Sequence, residues 1–428
     1  MFASSLVPWL TRRGIHYAWV MIALTFLTTI CSSAAVSLTG VLLVPMTQEF
    51  GWTKGDVSGA TGLLFIMFAG TAPFAGALIL KYGQRRMVVV AATMVMVALL
   101  GTVLASARWH ILISLGIILG TAAGLGAMAL NATVANRWFV HRRGLAMGIL
   151  TASFAAGQLS FMPTAAWLAT NYGWRMAVLP AIVGAATCAV LNLLFARDWP
   201  ADVGLPAYGA TQVQRPVIGS ASSAIALSFE VLREVVATRV FWVLAGTFFI
   251  CGLSTSGIVN THFIPFCGDN GVTAVVAASY LAMMGVFNFA GTICSGWLSD
   301  RFDNRILLAW YYGLRGLSLI WLPFSNFDIV SLSLFAIFFG LDFVATVPPT
   351  VKLASQHFGA AKAPIVVGWV FACHQLGGAL SAYTGGLTRD AWATYMPAFF
   401  VIGLACLVAS LAIFAVRDVR MPTLQAAE

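Results

Sequence analysis

The sequence predicts an all-α integral membrane protein with twelve transmembrane helices arranged as two parallel six-helix halves. Three observations predict it. Of 428 residues, 60% are hydrophobic and only 9% are charged, whereas a soluble domain carries about 25% charged residues. Twelve stretches are long and apolar enough to cross a bilayer, which takes about 20 residues each. A loop also recurs 220 residues along the chain: Gly76, Leu78, Lys81, Tyr82 and Arg85 return as Gly296, Leu298, Arg301, Phe302 and Arg305. The same offset pairs Gly120 with Gly340, Trp138 with Phe358, Gly148 with Gly368 and Gly157 with Gly377.

Arg12 and Arg13 precede the first apolar run, 17–44. That run exceeds the roughly 7–15 residues of a signal-peptide core and reads as a span that stays attached. Spans follow at 57–80, 87–106, 110–135, 145–170 and 176–195, then at 240–265, 273–298, 306–324, 328–350, 364–387 and 394–416. Charges and turn residues separate them. The one long polar break holds Pro200, Pro206 and Pro216 and closes on an amphipathic segment around Phe229, Glu230, Arg233 and Glu234, suited to a membrane surface. It divides the chain into a first half (1–196), a cytoplasmic linker (197–238) and a second half (239–428). Six spans per half is an even number, so both halves enter the membrane from the same side.

Loop charge sets orientation, because Lys and Arg collect on the cytoplasmic side. With the N-terminus inside, only Lys54, Arg108, Arg175 and Arg389 of the 23 Lys and Arg residues fall in outer loops. Arg315 alone falls within a span. Both termini are then cytoplasmic, in a plasma membrane of the bacterial inner-membrane kind. The net charge of +9 is explained by topology, which removes nucleic acid as a partner. The seven cysteines sit mostly in apolar runs without ligand spacing and read as small packing residues, with no disulfide, metal or cofactor implied. No nucleophile elbow, zinc-protease motif or phosphate-binding loop is present, so no enzyme is expected.

The loop Gly296-Trp297-Leu298-Ser299-Asp300-Arg301 resembles the signature loop of the major facilitator superfamily. Asn136-Arg137-Trp138-Phe139, followed by Arg142-Arg143-Gly144-Leu145-Ala146 and Gly148, is similar to the segment that opens the fifth span in monocarboxylate and oxalate/formate porters. The resemblance implies the major facilitator fold, with a substrate site between the halves near the midplane and alternating access by their rocking. It also implies a cytoplasmic latch between the halves, assigned here to Arg85, Asp300 and Arg301. The chain departs from the pattern at Leu80, where the first signature loop usually has an acid. The arginine and lysine that such porters carry in the eighth and eleventh spans fall here on Thr292 and His374.

Charges deep in a membrane are costly, and those retained are usually paired or functional. Arg315 and Asp342 both lie roughly 12–14 Å above the inner boundary at 1.5 Å per residue, on antiparallel neighbours. The pair either fixes helix packing or faces the cavity to bind substrate or a proton. His374 lies at similar depth and is a candidate to carry the coupling proton or bond an anion, with packing as the alternative. His262, Asn131 and Gln158 are further cavity candidates, with helix-to-helix bonding as the alternative. Pro348 and Pro349 should break the tenth span, leaving carbonyls that need partners. The expected function is secondary active transport of a small organic anion of mono- or dicarboxylate type, with a proton or by exchange. The partners are that small-molecule substrate, a proton and the lipid bilayer. The alternatives are an exporter of a drug-like compound or siderophore, with Trp310, Tyr311, Tyr312 or Trp369 in a wide cavity, and a non-transporting membrane sensor.

Overall fold

A computed structural model describes residues 2–126, 128–213, 221–299 and 301–416. Some side chains within helices, Leu80 and Gln158 among them, lie outside the description, as does all of Asp300. The described chain is mostly helical, and twelve spans can be traced. The first six are Ala18–Phe50, Lys54–Tyr82, Gln84–Val103, a composite fourth over 108–126 and 128–138, Arg143–Tyr172 and Trp174–Phe195. The second six begin with a composite seventh over 239–269, then Ala274–Ser299 and Asn304–Trp321. The tenth starts as Ile329–Asp342, and the eleventh is the later part of Val347–Trp392 beyond Gly359. Met396–Ala412 is the twelfth. Among the described residues, ten helical stretches are long and apolar enough to cross a membrane.

Glycine lets the chain turn where spans meet. Gly83 (φ 86°), Gly173 (φ 88°) and Gly359 (φ 78°) occupy left-handed backbone at the sharp joints between the second and third, fifth and sixth, and tenth and eleventh spans. A side chain there would strain the backbone.

The 220-residue offset is present in the packing. Gly120 of the fourth span lies against the backbone of Leu64 in the second, and Gly340 of the tenth lies against Met284 in the eighth. Both members of the contact shift by the same 220 positions. A Cβ on Gly340 would stand 2.8 Å from Met284 Cα, so close approach of these helices requires glycine. Gly157 against Ile30 and Gly377 against Phe249 repeat a second contact to within one residue.

The halves meet along three seams: first span on seventh, second on eleventh, and fifth on eighth. The linker contributes the helix Ala221–Val235. Its Phe229 ring sits 5.4 Å from Phe74 of the second span and 5.8 Å from Trp369 of the eleventh. The amphipathic segment expected on the membrane surface therefore packs its apolar side against the seam between halves. After the sixth span, Tyr208 pairs its backbone with Trp138 and Val140, and its ring is held by His16, Trp19 and Phe139. This ties the segment after the sixth span to the fourth-to-fifth loop.

Candidate functional site

The tenth span stops at Asp342 and restarts at Val347, with proline in its first turn. Proline suits that position because first-turn amides lack helical partners. The prolines thus begin a helix, and the break precedes them over residues 343–346. Its exposed carbonyls are satisfied by neighbouring spans. Arg315 Nη2 donates to the carbonyls of Asp342 (2.6 Å) and Phe343 (3.3 Å). Ser295 Oγ donates to the carbonyl of Ala345 at 2.5 Å.

Arg315 and Asp342 do meet. Nε donates to Asp342 Oδ2 at 2.6 Å, and Nη1 donates to Cys251 Sγ at 2.8 Å and Ser254 Oγ at 3.3 Å. All five N–H donors of the guanidinium are therefore used. Arg315 is 1% exposed and Asp342 7%, so the pair sits in a low-dielectric interior where each charge depends on the other. Asp342 Oδ1 is buried and has no hydrogen-bond partner among the described residues.

The seventh span widens to a π-helix over Leu253–Val259, a local irregularity that often marks functional segments. Cys251 and Ser254 meet Arg315 at its start. Ser256, within it, lies 3.3 Å from His374 Nε2. The His374 ring stacks on Phe371 at 5.5 Å and tilts against Phe248 at 5.4 Å, and its Nδ1 is buried without a partner among the described residues. Arg315, Asp342, Cys251, Ser254, Ser256 and His374 thus form one polar tract in the second half.

The remaining candidates lie elsewhere. His262 is fully buried, 2.7 Å from the Ala382 carbonyl through Nε2, and its ring packs on Tyr395. It joins the seventh and eleventh spans. Asn131 accepts from Thr29 at 3.2 Å and donates to the Leu150 carbonyl at 3.3 Å, joining three spans of the first half. Thr292 bonds Asn288 one turn away. The Gln158 side chain lies outside the description.

At the signature loops Arg85, Arg301 and Arg305 make their contacts within their own half. Arg85 Nε donates to the Leu193 carbonyl at 3.0 Å, near the end of the sixth span. Arg305 Nη1 donates to the Val416 carbonyl at 3.3 Å, past the end of the twelfth. Both cap carbonyls left open where a helix ends. The backbone amide of each arginine is itself capped by an aspartate at 2.9 Å: Asp198 for Arg85, Asp303 for Arg305. Arg305 holds the Asp303 carboxyl below the usual carboxylate range. Arg301 stacks over its own Trp297 at 4.1 Å. Among the described residues, neither Arg85 nor Arg301 is recorded bonding across to the other half, and Asp300 lies outside the description.

Sequence reading missed Cys251, Ser254, Ser256 and Ser295, which are unremarkable small residues until the fold places them. It also missed a charged cluster at the end of the molecule opposite the signature loops, formed by Lys54, Asp269, Arg389 and Asp390. Two of these, Lys54 and Arg389, were among the few cations assigned to that side.

Two six-helix halves joined along three seams, with one buried ion pair and no hydrophilic output domain among the described residues, define a multi-pass membrane transporter. The Major Facilitator Superfamily signature matches residues 25–382, and the chain belongs to that superfamily. It is 27% identical to the uncharacterized MFS-type transporter YcxA of Bacillus subtilis, over 89% of this chain and 90% of that one. It is 25% identical to monocarboxylate transporter 12-B of Danio rerio (94% and 88% covered) and 24% identical to monocarboxylate transporter 13 of Rattus norvegicus (92% and 87%). Among solved structures it is similar to a D-xylose-proton symporter, with a TM-score of 0.68 at 16% identity, covering 94% of this chain and 98% of that one. That likeness concerns the fold alone.

Proposed function

We propose that the protein moves a small organic anion, of mono- or dicarboxylate type, by alternating access, together with a proton or by exchange. The halves at 1–196 and 239–428 rock about the linker at 197–238. Positive-side topology orients both termini to the cytoplasm of a bacterial cell. The monocarboxylate transporters named above support the substrate class. The observation that carries the reading is the buried Arg315–Asp342 pair, with one carboxylate oxygen unpartnered among the described residues.

The chemistry follows from charge balance. With Asp342 ionised the pair is neutral. A proton added at Oδ1 leaves Arg315 as an uncompensated buried cation, which costs several kcal/mol. A substrate carboxylate restores neutrality, so proton and anion favour each other's binding. Of the acceptors on Arg315, Cys251 sulfur is the weakest and is the one a carboxylate displaces. The loaded site is neutral and crosses as the halves reorient. Unloading on the other side returns the pair. In exchange mode the proton stays on Asp342 while the first anion leaves and a second takes its place on Arg315, so the site returns loaded and neutral. His374 then serves as a polar contact for the remainder of the substrate, while Asn131 and His262 tie spans to one another.

The alternative is an exporter of a drug-like compound or siderophore, with a wide cavity lined by Trp310, Tyr311, Tyr312 or Trp369. Trp310 is 64% exposed on the outside of the ninth span, and Trp369 is engaged by Phe74, Phe229 and the Ser228 carbonyl. The test is uptake into proteoliposomes of a panel of mono- and dicarboxylates under an imposed pH gradient, with the double variant R315A–D342A as control. At least one anion is expected to accumulate in wild type and not in the control. Binding of a large amphipathic compound with no anion flux would sink the reading.

A further inference from the structure

We propose that the end of the protein opposite the signature loops is held shut by a shared helix terminus: the second span, in one half, is capped by Asp390 of the eleventh span, in the other. The first-turn amides of a helix have no partner within it. Here the amide of Asp56 is met locally by Thr53 Oγ1 at 3.1 Å. The amides of Lys54 and Gly55 are met across the seam instead, by Asp390 Oδ1 at 3.1 Å and Oδ2 at 2.7 Å. A carboxylate at a helix N-terminus also gains from the helix dipole.

The cap is one part of a larger latch. Lys54 Nζ lies 3.4 Å from Asp269 at the end of the seventh span and 5.2 Å from the ring centroid of Tyr395. Asp269 is held in place by Arg389 at 2.6 Å. Below the charges the two helices touch through small residues in antiparallel register. Gly55 faces Leu387, Ser58 faces Gly386, Gly59 faces Tyr383 and Gly62 faces Ala379. A Cβ on Gly55 would stand 2.9 Å from Asp390 Oδ2, so glycine is what lets the carboxylate reach both amides. Nothing comparable joins the described residues of the two signature loops, where arginines cap helices of their own half. Opening of this end therefore requires Asp390 to leave the second span, and the carboxylate sets the balance between closed and open forms. The inference needs only the transporter fold and not the substrate proposed above.

The test uses a reporter that needs no ligand. Ser58 is fully buried in this seam. Purified full-length protein carrying Ser58→Cys is treated with a bulky charged maleimide, and labelling of that position is followed by mass spectrometry. Asp390→Asn is expected to speed labelling roughly tenfold, the shift expected from loss of one charge-assisted hydrogen bond. Asp269→Asn is expected to speed it less, and it tests the latch independently if Asp390→Asn does not yield folded protein. Asp56→Asn, which disturbs the same helix end within its own half, is expected to leave the rate unchanged. Wild-type rates in both Asp390→Asn and Asp269→Asn would overturn the proposal. So would equal acceleration by Asp56→Asn, which would mean fraying of the second span.

Discussion

The membrane cores of the two halves are built on one plan and filled differently. In the second half Ser254, Ser295, Arg315 and Asp342 gather around the break in the tenth span. The residues 220 positions earlier are Ala34, Ala75, Val95 and Ala122, and all four are buried. One half thus holds an ion pair and broken-helix carbonyls where its twin holds packed aliphatic side chains. The glycine contacts that set helix spacing, Gly120 on Leu64 and Gly340 on Met284, are kept in both. The same glycine-set spacing thus accommodates an ion pair in one half and aliphatic packing in the other.

The largest effect should come from breaking the pair unevenly. Arg315→Ala strands the Asp342 carboxylate and the carbonyls of 342 and 343, and is expected to destabilise by about 3–5 kcal/mol. The paired change Arg315→Val with Asp342→Ala, which copies the first half, should cost much less than Arg315→Ala alone. Thermal unfolding in detergent distinguishes them. A double variant as unstable as the single would mean that the lost carbonyl bonds, and not the stranded charge, dominate.

Next in size are the glycine contacts. Gly340→Ala places a methyl group against the Met284 backbone, and Gly120→Ala does the same at Leu64. Each is expected to cost about 1–3 kcal/mol, by similar amounts. Unequal costs would show that the tenth span, already broken, absorbs strain that the fourth cannot.

The signature loops offer a smaller comparison. Asp198→Asn and Asp303→Asn each weaken one cap on an arginine amide, at about 0.5–1 kcal/mol. The Asp303 cap carries a pH dependence that can be checked. The Asp303 carboxyl is held below its usual range by Arg305. Its stabilising contribution is present above the ordinary aspartate value of about 3.9 and is lost as pH falls through the lowered folded-state value. The gap in melting temperature between wild type and Asp303→Asn should therefore shrink as the medium is acidified below pH 4. A constant gap would assign the effect to hydrogen-bond geometry alone.

The twelve spans were legible because hydropathy, turn residues and loop charge repeat the same boundaries, and the structure differs from them by a few residues at most ends. The meeting of Arg315 with Asp342 was legible because depth follows from residue count and neighbouring spans run antiparallel. The site of the helix break was less so. Pro348 and Pro349 pointed to it, but proline is tolerated in a first helical turn, and the break itself fell on Phe343 to Thr346. The roles of Cys251, Ser254 and Ser295 could not be read, because a small polar residue in an apolar run gives no sign of which helix it will face. The charges at Lys54, Asp269, Arg389 and Asp390 were visible as charges. Their partnership joins residues more than 330 positions apart, and no local pattern encodes that distance.

The cap shared between Asp390 and the second span also makes the protein a reporter of its own state. The amide protons of Lys54 and Gly55 are bonded only while the two halves touch. Their exchange with deuterium should run at the rate at which this end of the molecule opens, while the Asp56 amide, bonded to Thr53 in its own half, stays protected. Two neighbouring peptide groups on one helix are thereby expected to report different events: one the life of the helix, the other the parting of the two halves at this end.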